Sequence, residues 1–437
     1  MTDVTTSSPL PEASPLDVTA IDHFSDKATA VDPYPYYQAL LRKHPVYVEP
    51  KHGAALVTGF EEALAVFRDH ATFSSSNLVA GPRSPFPEDV EVAGDDITEL
   101  VEQYRATFPQ GDQIVTMDPP NHTAHRALLM GLITPKRLQE NEEFIWRLTD
   151  KQLDALLARE RGEFIDEFAQ PYTLLIIADL LGVPESDHER LLELAGMGED
   201  LVGDTARQKS AHHSLAPLYD YFMAAIEDRR ANPRGDILTG MATATYPDGT
   251  VPEPLEVARI ASNIFAAGQE TTVRLLGTAL QLIGDDPALQ QRLRADRSLI
   301  PRFIEEALRM QGPIKGAFRL VRKSTTLGGV DLPAGTRVFL SNGAADRDPR
   351  QFPDPDTFDL DRPNVRRHLA FGHGVHTCPG APLARSEVRI SIERLFDRTT
   401  DIRVSEEHHG PAGSRSYAYM PTWMFRGLMG LHLEFTK

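Results

Sequence analysis

Residues 371–380 read Phe-Gly-His-Gly-Val-His-Thr-Cys-Pro-Gly and contain Cys378, the only cysteine of the chain. The three glycines of this stretch suit a backbone that turns sharply and lies close against a flat group, because glycine has no Cβ. Pro379 fits the first turn of a helix, and apolar residues continue at helical spacing as far as Phe396. A lone cysteine is usually a small buried hydrophobe, but a helix N-terminus favours the thiolate that binds metal.

The spacing of glycine, histidine and cysteine in residues 371–380 resembles the haem-binding signature of the cytochrome P-450 superfamily, the haem-thiolate monooxygenases. By this resemblance Cys378 is the axial thiolate ligand of haem b, iron protoporphyrin IX. Phe371, Gly372 and His376 would also contact the haem, His376 through a propionate. The resemblance further implies a mainly α fold with a smaller β-rich region. This fold is a triangular prism that holds the haem between a long oxygen-binding helix and the cysteine loop.

Length and composition indicate an acidic globular protein. The chain has 437 residues, of which 41% are hydrophobic, and its net charge is −18. Length alone suggests two or three domains, whereas the family resemblance implies a single domain over residues 31–437. The negative charge argues against nucleic acid and anionic membrane surfaces as partners, since both attract basic proteins.

The N-terminal residues and the apolar runs indicate the cellular compartment of the protein and whether it is attached to a membrane. Residues 1–30 are rich in Ser, Thr, Pro and Asp, lack the features of a signal peptide, and are predicted to form a disordered tail. The strongest apolar run, residues 174–183, contains Asp179 and is far shorter than the roughly 20 residues of a membrane span. A single cysteine permits no internal disulfide, which fits a reducing compartment. We therefore expect a cytoplasmic monomer without a membrane anchor.

A second motif, residues 117–126, reads Met-Asp-Pro-Pro-Asn-His-Thr-Ala-His-Arg. Asp-Pro-Pro favours a helix start, and His122 and Arg126 are four residues apart, so both side chains lie on one helical face. Two donors on one face can hold a carboxylate, although a solvated helix face is the commoner arrangement for this pair alone. The resemblance assigns both residues to a haem propionate, together with Arg319 and His376.

The spacing of apolar residues predicts a long helix over about residues 254–284, with Gly268 and Thr271 on its apolar face. The middle of this helix, Ala-Ala-Gly-Gln-Glu-Thr-Thr, is unfavourable in a helix interior, so it is either distorted for a purpose or merely loose. The segment resembles the family's oxygen-activating motif. By that resemblance Thr271 hydrogen-bonds the bound oxygen or a nearby water, and Glu270 relays protons. Gly268 would leave space for oxygen, and Ala267 would contact the haem.

Glu306 and Arg309 are three residues apart and can pair on one face of a helix. Such a pair is worth only about 0.2–0.5 kcal/mol if it is exposed. The spacing resembles the family's Glu-x-x-Arg helix, whose pair is buried and completed by an arginine from a later segment. Arg362 is the candidate for that third position. The resemblance implies a structural role, a network of ion pairs that fixes the cysteine loop.

The candidate substrate-pocket residues come from the long helix, from the segment before Arg319, and from a hairpin predicted near the C-terminus. They are Ile264, Ala267, Ile314, Phe318 and Met420. By resemblance, helices over about residues 187–200 and 210–232 form a lid over the substrate channel. Lys315 is unusual beside these residues, and its role is left open.

The resemblance implies a bacterial-type monooxygenase that inserts one atom of dioxygen into a small apolar organic substrate, by hydroxylation, O-dealkylation or epoxidation. No flavin, nicotinamide or iron–sulfur segment is recognisable, so electrons would come from a ferredoxin- or flavodoxin-type donor with its reductase. Two alternatives stay open: a peroxygenase, which in the family usually lacks the acid–alcohol pair, and a non-enzymatic haem-binding or sensing protein. The basic residues predicted to attract an acidic donor are Arg126, Lys136, Arg137, Arg366, Arg367, Arg385 and Arg389.

Overall fold

Helices dominate the protein, and a computed structural model describes residues 16–131, 133–191, 216–246 and 248–437. In these residues the α-helices are α1 (Lys27–Val31), α2 (Tyr34–Leu41), α3 (Phe60–Arg68), α4 (Thr98–Tyr104), α5 (Asn121–Met130), α6 (Pro135–Ala158), α7 (Gln170–Leu180), α8 (Ala216–Ala231), α9 (Ile237–Thr243), α10 (Pro254–Asp285), α11 (Pro287–Ala295), α12 (Ile300–Gln311), α13 (Asn342–Ala345), α14 (Ala381–Arg398) and α15 (Glu406–His409).

Short strands form three small sheets. The described strands are β1 (Val46–Val48), β2 (Ala55–Val57), β3 (Phe73–Ser74), β4 (Arg161–Glu163), β5 (Ala317–Val321), β6 (Thr325–Leu327), β7 (Val330–Leu332), β8 (Arg337–Leu340), β9 (Asp401–Val404) and β10 (His432–Thr436). The largest sheet has the order β1-β2-β8-β5-β3, the second has the order β4-β10-β9, and β6 pairs with β7. The predicted mainly α fold with a smaller β-rich region is confirmed.

The long helix α10 runs through the main hydrophobic core and positions the predicted oxygen-activating motif. It begins at a capping box formed by Glu253 and Glu256, with Pro254 in its first turn. Its buried face, which includes Phe265 and Leu276, packs against α7 and α8. The helix also contacts α14, which follows the cysteine loop. The fold therefore brings together the two motifs that are more than a hundred residues apart in sequence.

The second half of the predicted disordered tail is packed in the structure. Val18 is 5% exposed and His23 is 1% exposed, and the His23 ring stacks on Tyr36 at 5.2 Å. The buried Lys315 side chain donates a hydrogen bond from Nζ to the carbonyl of Ala30 at the end of α1, and burial lowers the pKa of Lys315 to about 7. The prediction was wrong here because a few anchoring side chains outweigh a polar composition. Residues 1–15 lie outside the described residues.

Part of the predicted lid is also outside the described residues, which omit residues 192–215. The second predicted lid helix is described from Ala216 onward as α8. Among the described helices, none is long and apolar enough to cross a membrane.

Candidate active site

The cysteine loop connects a short 3-10 turn at residues 374–376 to α14, which begins at Ala381. The backbone N–H of Cys378 donates to the carbonyl of Phe371 at 2.9 Å and closes the loop. Gly374 has a φ of +72°, and a Cβ there would lie 2.3 Å from the carbonyl oxygen of Phe67 in α3. This glycine is therefore required by a close backbone approach as well as by its left-handed conformation.

The start of the following helix differs from the prediction. Gly380 is the N-cap residue of α14, so Pro379 lies before the helix and Pro382 occupies its first turn. The prediction placed the helix start two residues too early. Cys378 nevertheless lies within reach of the helix N-terminus, because the backbone N–H groups of Gly380 and Ala381 both interact with its sulfur.

The N–H groups at the start of α14 act on Cys378 in the predicted direction, but burial opposes them. Burial raises the pKa of its thiol, and the two backbone N–H groups and Arg126 offset that effect only in part. The helix terminus alone therefore does not bring the pKa of the thiol below its ordinary value. A bound metal cation would supply the missing stabilisation, since a coordinating thiol is deprotonated outright.

A cluster of buried cationic and imidazole side chains lies near this loop. The rings of His122 and His376 are 4.0 Å apart between centroids, and the Nε2 atoms of both are buried without a hydrogen-bond partner. Arg319 of β5 is 5% exposed, and its Nη1 donates to the carbonyl of Phe318. Burial lowers the pKa of His122 to about 4, that of His376 to about 2 and that of Arg319 to about 10.

This cluster fits an anionic group of a cofactor. Buried polar atoms in proteins are almost always hydrogen-bonded, so two adjacent unpartnered Nε2 atoms mark a place for an acceptor. A carboxylate beside Arg319 would compensate its buried positive charge and could accept a hydrogen bond from Nε2 of His122. The other ring nitrogen of His376 bonds the carbonyl of Met117, so Nε2 of His376 can donate to the same carboxylate only when that imidazole is protonated. The residues predicted to hold a haem propionate, His122, His376 and Arg319, are thus brought together from three separate segments.

Arg126 lies beside the cysteine rather than within this imidazole cluster. Its Nη2 donates to the carbonyl of Thr377, the residue that precedes Cys378. Burial lowers the pKa of Arg126, while the cysteine sulfur acts in the opposite direction. Arg126 therefore links α5 to the ligand loop, and its contact with a propionate stays a prediction.

The middle of α10 presents the predicted acid and alcohol. The hydroxyl of Thr271 donates to the carbonyl of Ala267 one turn earlier at 2.9 Å, and Ala267 is exposed. Glu270 is held by Arg274, with Oε1 accepting from Nε at 2.7 Å, and Arg274 also donates to the carbonyl of Leu428 at 2.8 Å. The sequence analysis did not identify Arg274, although its four-residue spacing from Glu270 was a usable signal.

Gly268 has a packing role that the sequence analysis did not foresee. A Cβ at this position would lie 2.5 Å from Cδ1 and 2.9 Å from Cγ1 of Ile177 in α7. The space beside Gly268 is therefore filled by a side chain of the neighbouring helix. This glycine therefore allows α10 and α7 to approach closely, and its predicted role beside oxygen stays a prediction.

The predicted structural triad is present and buried. Arg309 binds both carboxylate oxygens of Glu306 at 2.8 Å, and Nε of Arg362 lies 3.1 Å from the same carboxylate. The backbone N–H of Asp359 adds a fourth donor at 3.0 Å. Arg362 also donates to three carbonyls of residues 353–357. The network therefore ties α12 to the irregular segment that leads toward the cysteine loop.

The predicted substrate-pocket residues divide into two groups. Ile264, Ile314 and Met420 are half-buried and Ala267 is exposed, as expected for residues that line a cavity. Phe318 is fully buried and packs on Phe24, Phe339 and Trp423 at ring distances of 5.1–5.3 Å. Successive side chains of a strand point to opposite faces, so the neighbour of Arg319 must point away from the histidine cluster. The assignment of Phe318 to the pocket was wrong.

A separate cavity of about 550 Å³ lies between α5, the start of α10 and the segment before α5. It lies one turn from Ile264, and none of the five predicted pocket residues lines it. Its wall includes Ile114, Met117, His125, Arg259 and Ile260.

Most of the predicted docking residues already have carboxylate partners. Arg385 binds Glu305 and Arg389 binds Glu142 and Glu393, while Lys136 and Arg137 face Glu140. In the described part of the chain, Arg366 and Arg367 are exposed and form no ion pair. The two adjacent arginines are therefore the charges best placed to meet a partner.

Comparisons with known proteins identify the family. A family model described as Cytochrome P-450 matches residues 208–400. The biotin biosynthesis cytochrome P-450 of Bacillus subtilis (strain 168) is 30% identical over 410 residues, which cover 92% of this chain and 96% of that protein. The cytochrome P-450 monooxygenase PikC of Streptomyces venezuelae is 31% identical over 416 residues, which cover 93% of this chain and 92% of that protein.

A solved structure extends the similarity to the whole fold. The Mycobacterium marinum cytochrome P-450 CYP150A6 in its substrate-free form is similar with a TM-score of 0.89 and 49% identity, covering 96% of this chain and 99% of that chain. The relatives found by sequence and the structure found by fold all belong to the family that the motif around Cys378 resembles. The chain belongs to the cytochrome P-450 family, oxidoreductases in which a cysteine thiolate is the axial ligand of a haem iron.

Proposed function

We propose that the protein inserts one atom of dioxygen into a small apolar organic substrate, with Cys378 as the axial ligand of its haem. The observation that carries this proposal is the pair of buried, unpartnered Nε2 atoms of His122 and His376 beside the buried guanidinium of Arg319. The buried charge of Arg319 calls for an anion, and a haem propionate would supply one near the cysteine loop. When bound, the haem supplies the iron at which dioxygen is activated.

The ligand loop controls the electron density of the sulfur. Cys378 binds as a thiolate, which the backbone N–H groups of Gly380 and Ala381 stabilise. Pro379 has no N–H, so one potential donor is missing next to the ligand. Hydrogen bonds to a metal-bound sulfur tune its donor strength, so the number of these N–H groups helps to set the reduction potential.

Thr271 and Glu270 serve proton delivery. The Thr271 hydroxyl donates a hydrogen bond to the carbonyl of Ala267, so its oxygen is free to accept a hydrogen bond from a water. The Glu270 side chain is 29% exposed and therefore reaches solvent, but Arg274 holds its carboxylate. Proton delivery thus requires Glu270 to release Arg274, accept a proton from solvent and pass it to water held by Thr271.

The electron donor is a separate ferredoxin- or flavodoxin-type protein with its reductase, and both act with this enzyme in the cytoplasm. An acidic donor would dock by charge complementarity at Arg366 and Arg367, whose charges are exposed. Reversing both to Glu is expected to slow reduction by the donor and to weaken the salt dependence of that rate. Unchanged kinetics would contradict this docking site.

Two other functions are less well supported. A peroxygenase receives its oxygen already reduced, and a haem sensor performs no oxygen cleavage, so neither needs the Glu270–Thr271 pair. The acid–alcohol pair on α10 therefore favours the use of dioxygen and external electrons.

A spectrum and a labelling experiment test the proposal. The reduced carbon monoxide complex of the purified protein is expected to absorb at the position typical of thiolate ligation, and Cys378→Ser is expected to lose that band. Small apolar compounds that shift the haem from low to high spin are then incubated with labelled dioxygen, a surrogate ferredoxin, its reductase and NADPH. One labelled oxygen atom in the product supports a monooxygenase. Absence of the thiolate band in the unmodified protein refutes the ligand. Turnover with peroxide alone, or binding without turnover, favours the two alternatives.

A further inference from the structure

We propose that Glu305 is a positioning residue for the haem ligand, acting on the cysteine loop through Arg385 and His368. Glu305 is adjacent to Glu306 of the structural triad on α12 and is 3% exposed. Its carboxylate is engaged by two side chains from later in the chain, neither of which belongs to the triad. The inference rests on the proposed role of Cys378 as ligand and assigns Glu305 a function that the triad does not provide.

The first connection from Glu305 to the cysteine loop is made by Arg385, in the second turn of α14. Its Nε lies 2.6 Å from Oε1 of Glu305 and its Nη2 lies 2.9 Å from Oε2, so the guanidinium is held in a two-point contact. In this orientation the guanidinium carbon lies 4.5 Å from the ring centre of Phe371, within the range of a cation–π contact. The carbonyl of Phe371 in turn accepts the N–H of Cys378. Glu305 thus orients the group that covers the first residue of the ligand loop.

The second connection from Glu305 to the cysteine loop is made by His368, which is 8% exposed. Its Nε2 lies 3.0 Å from Oε2 of Glu305, and its Nδ1 accepts the backbone N–H of Ala370 at 3.2 Å. These two contacts assign the proton to Nε2, because Nδ1 must have a free lone pair. The tautomer held by Glu305 therefore fixes the backbone immediately before Phe371. Both contacts therefore act near Phe371: Arg385 lies over its ring, and His368 holds the backbone N–H of the preceding residue, Ala370.

The charge of Glu305 also reaches the sulfur indirectly. The positive charge of Arg385 stabilises the Cys378 thiolate, and Glu305 is the carboxylate that neutralises Arg385. Removing the Glu305 charge leaves a less compensated cation near the ligand, which favours the reduced and more negative form of the metal site. Removing the Arg385 charge has the opposite sign. A purely structural carboxylate would instead change stability without this reversal of sign.

The experiment measures the one-electron reduction potential of the haem-loaded enzyme in four variants. Glu305→Gln keeps the shape of the side chain and is expected to shift the equilibrium several-fold toward the reduced form. Arg385→Gln is expected to shift it toward the oxidised form, and Arg385→Lys is expected to restore most of the change. The matched control is Glu142→Gln, which removes one of the two carboxylate partners of Arg389, a residue one turn beyond Arg385 on α14, and is expected to leave the potential unchanged.

The spectrum of the reduced carbon monoxide complex distinguishes a failure of this inference from a failure of the proposed function. If the unmodified enzyme lacks the thiolate band, Cys378 is not the ligand and both proposals fall. If the band is present and the potential moves in opposite directions in Glu305→Gln and Arg385→Gln, the inference holds. Shifts of the same sign, no shift in Arg385→Gln, or an equal shift in Glu142→Gln overturn it. If Glu305→Gln does not retain haem, Arg385→Gln and its rescue by lysine decide the outcome.

Discussion

Gly374→Ala is expected to displace the cysteine loop, whereas Gly372→Ala is expected to leave it in place. Both glycines have left-handed backbones, with φ of +72° at Gly374 and +66° at Gly372. They differ in the space around a new Cβ. At Gly374 it would lie 2.3 Å from the carbonyl oxygen of Phe67, but at Gly372 the nearest atoms would be 3.7 Å away. The two variants therefore separate conformational strain from steric overlap.

The magnitudes follow from these two numbers. A left-handed conformation costs a residue with a Cβ about 1–2 kcal/mol, and both variants carry this cost. At Gly374 the distance from the new Cβ to the carbonyl oxygen of Phe67 would be about 1 Å shorter than an ordinary van der Waals contact. This oxygen belongs to the main chain of α3. Relief requires backbone movement, which adds about 1–3 kcal/mol. We expect a total of about 2–5 kcal/mol for Gly374→Ala against about 1–2 kcal/mol for Gly372→Ala.

Thermal unfolding and the carbon monoxide spectrum measure this difference in the haem-loaded enzyme. For a chain of this length, each kcal/mol lowers the melting temperature by about 1 °C. Gly372→Ala is expected to retain more of its thiolate band than Gly374→Ala, which loses a large fraction because the sulfur moves with the loop. Equal losses of stability and of the thiolate band in both variants would refute the reasoning, since strain alone would then explain them.

Three further predictions concern the helices around the site. Gly268→Ala is expected to cost up to about 2 kcal/mol, the overlap with Ile177 being offset by about 1 kcal/mol of helix propensity; Ile177→Val in the same chain should recover part of the loss, and a neutral effect on melting would contradict the packing role. Thr271→Ala is expected to lower the ratio of product to electrons consumed several-fold while Thr271→Ser retains most of it, and equal ratios would remove the hydroxyl from proton delivery. Because burial lowers the pKa of His122 to about 4, the native state of the haem-free protein binds fewer protons than the unfolded state below pH 6.5. His122 should therefore contribute up to about 2 kcal/mol to the fall in the free energy of unfolding between pH 6.5 and 5, and His122→Gln should lack that contribution. Urea unfolding at the two pH values checks this, and a rise in stability toward pH 5 would show the opposite sign.

Several features were determined by local sequence alone. The ligand loop, the span of α10 and the Glu306–Arg309 pair depend on residues that are close in sequence, so spacing and composition were sufficient to predict them. Arg274 belongs to the same class, since its contact with Glu270 is a four-residue helical pair. The haem site could be assembled from such segments only because their combined pattern resembles a known family.

Other features were decided only by the tertiary structure. The carbonyl of Phe67 that excludes a side chain from Gly374, and the Ile177 side chain beside Gly268, come from distant elements that no local pattern names. The inward face of β5 depends on strand register, where a shift of one residue exchanges Arg319 for Phe318. Residues 16–30 are ordered through contacts with residues far along the chain. In each case the deciding interaction joins segments remote in sequence, and packing rather than periodicity selects the residue.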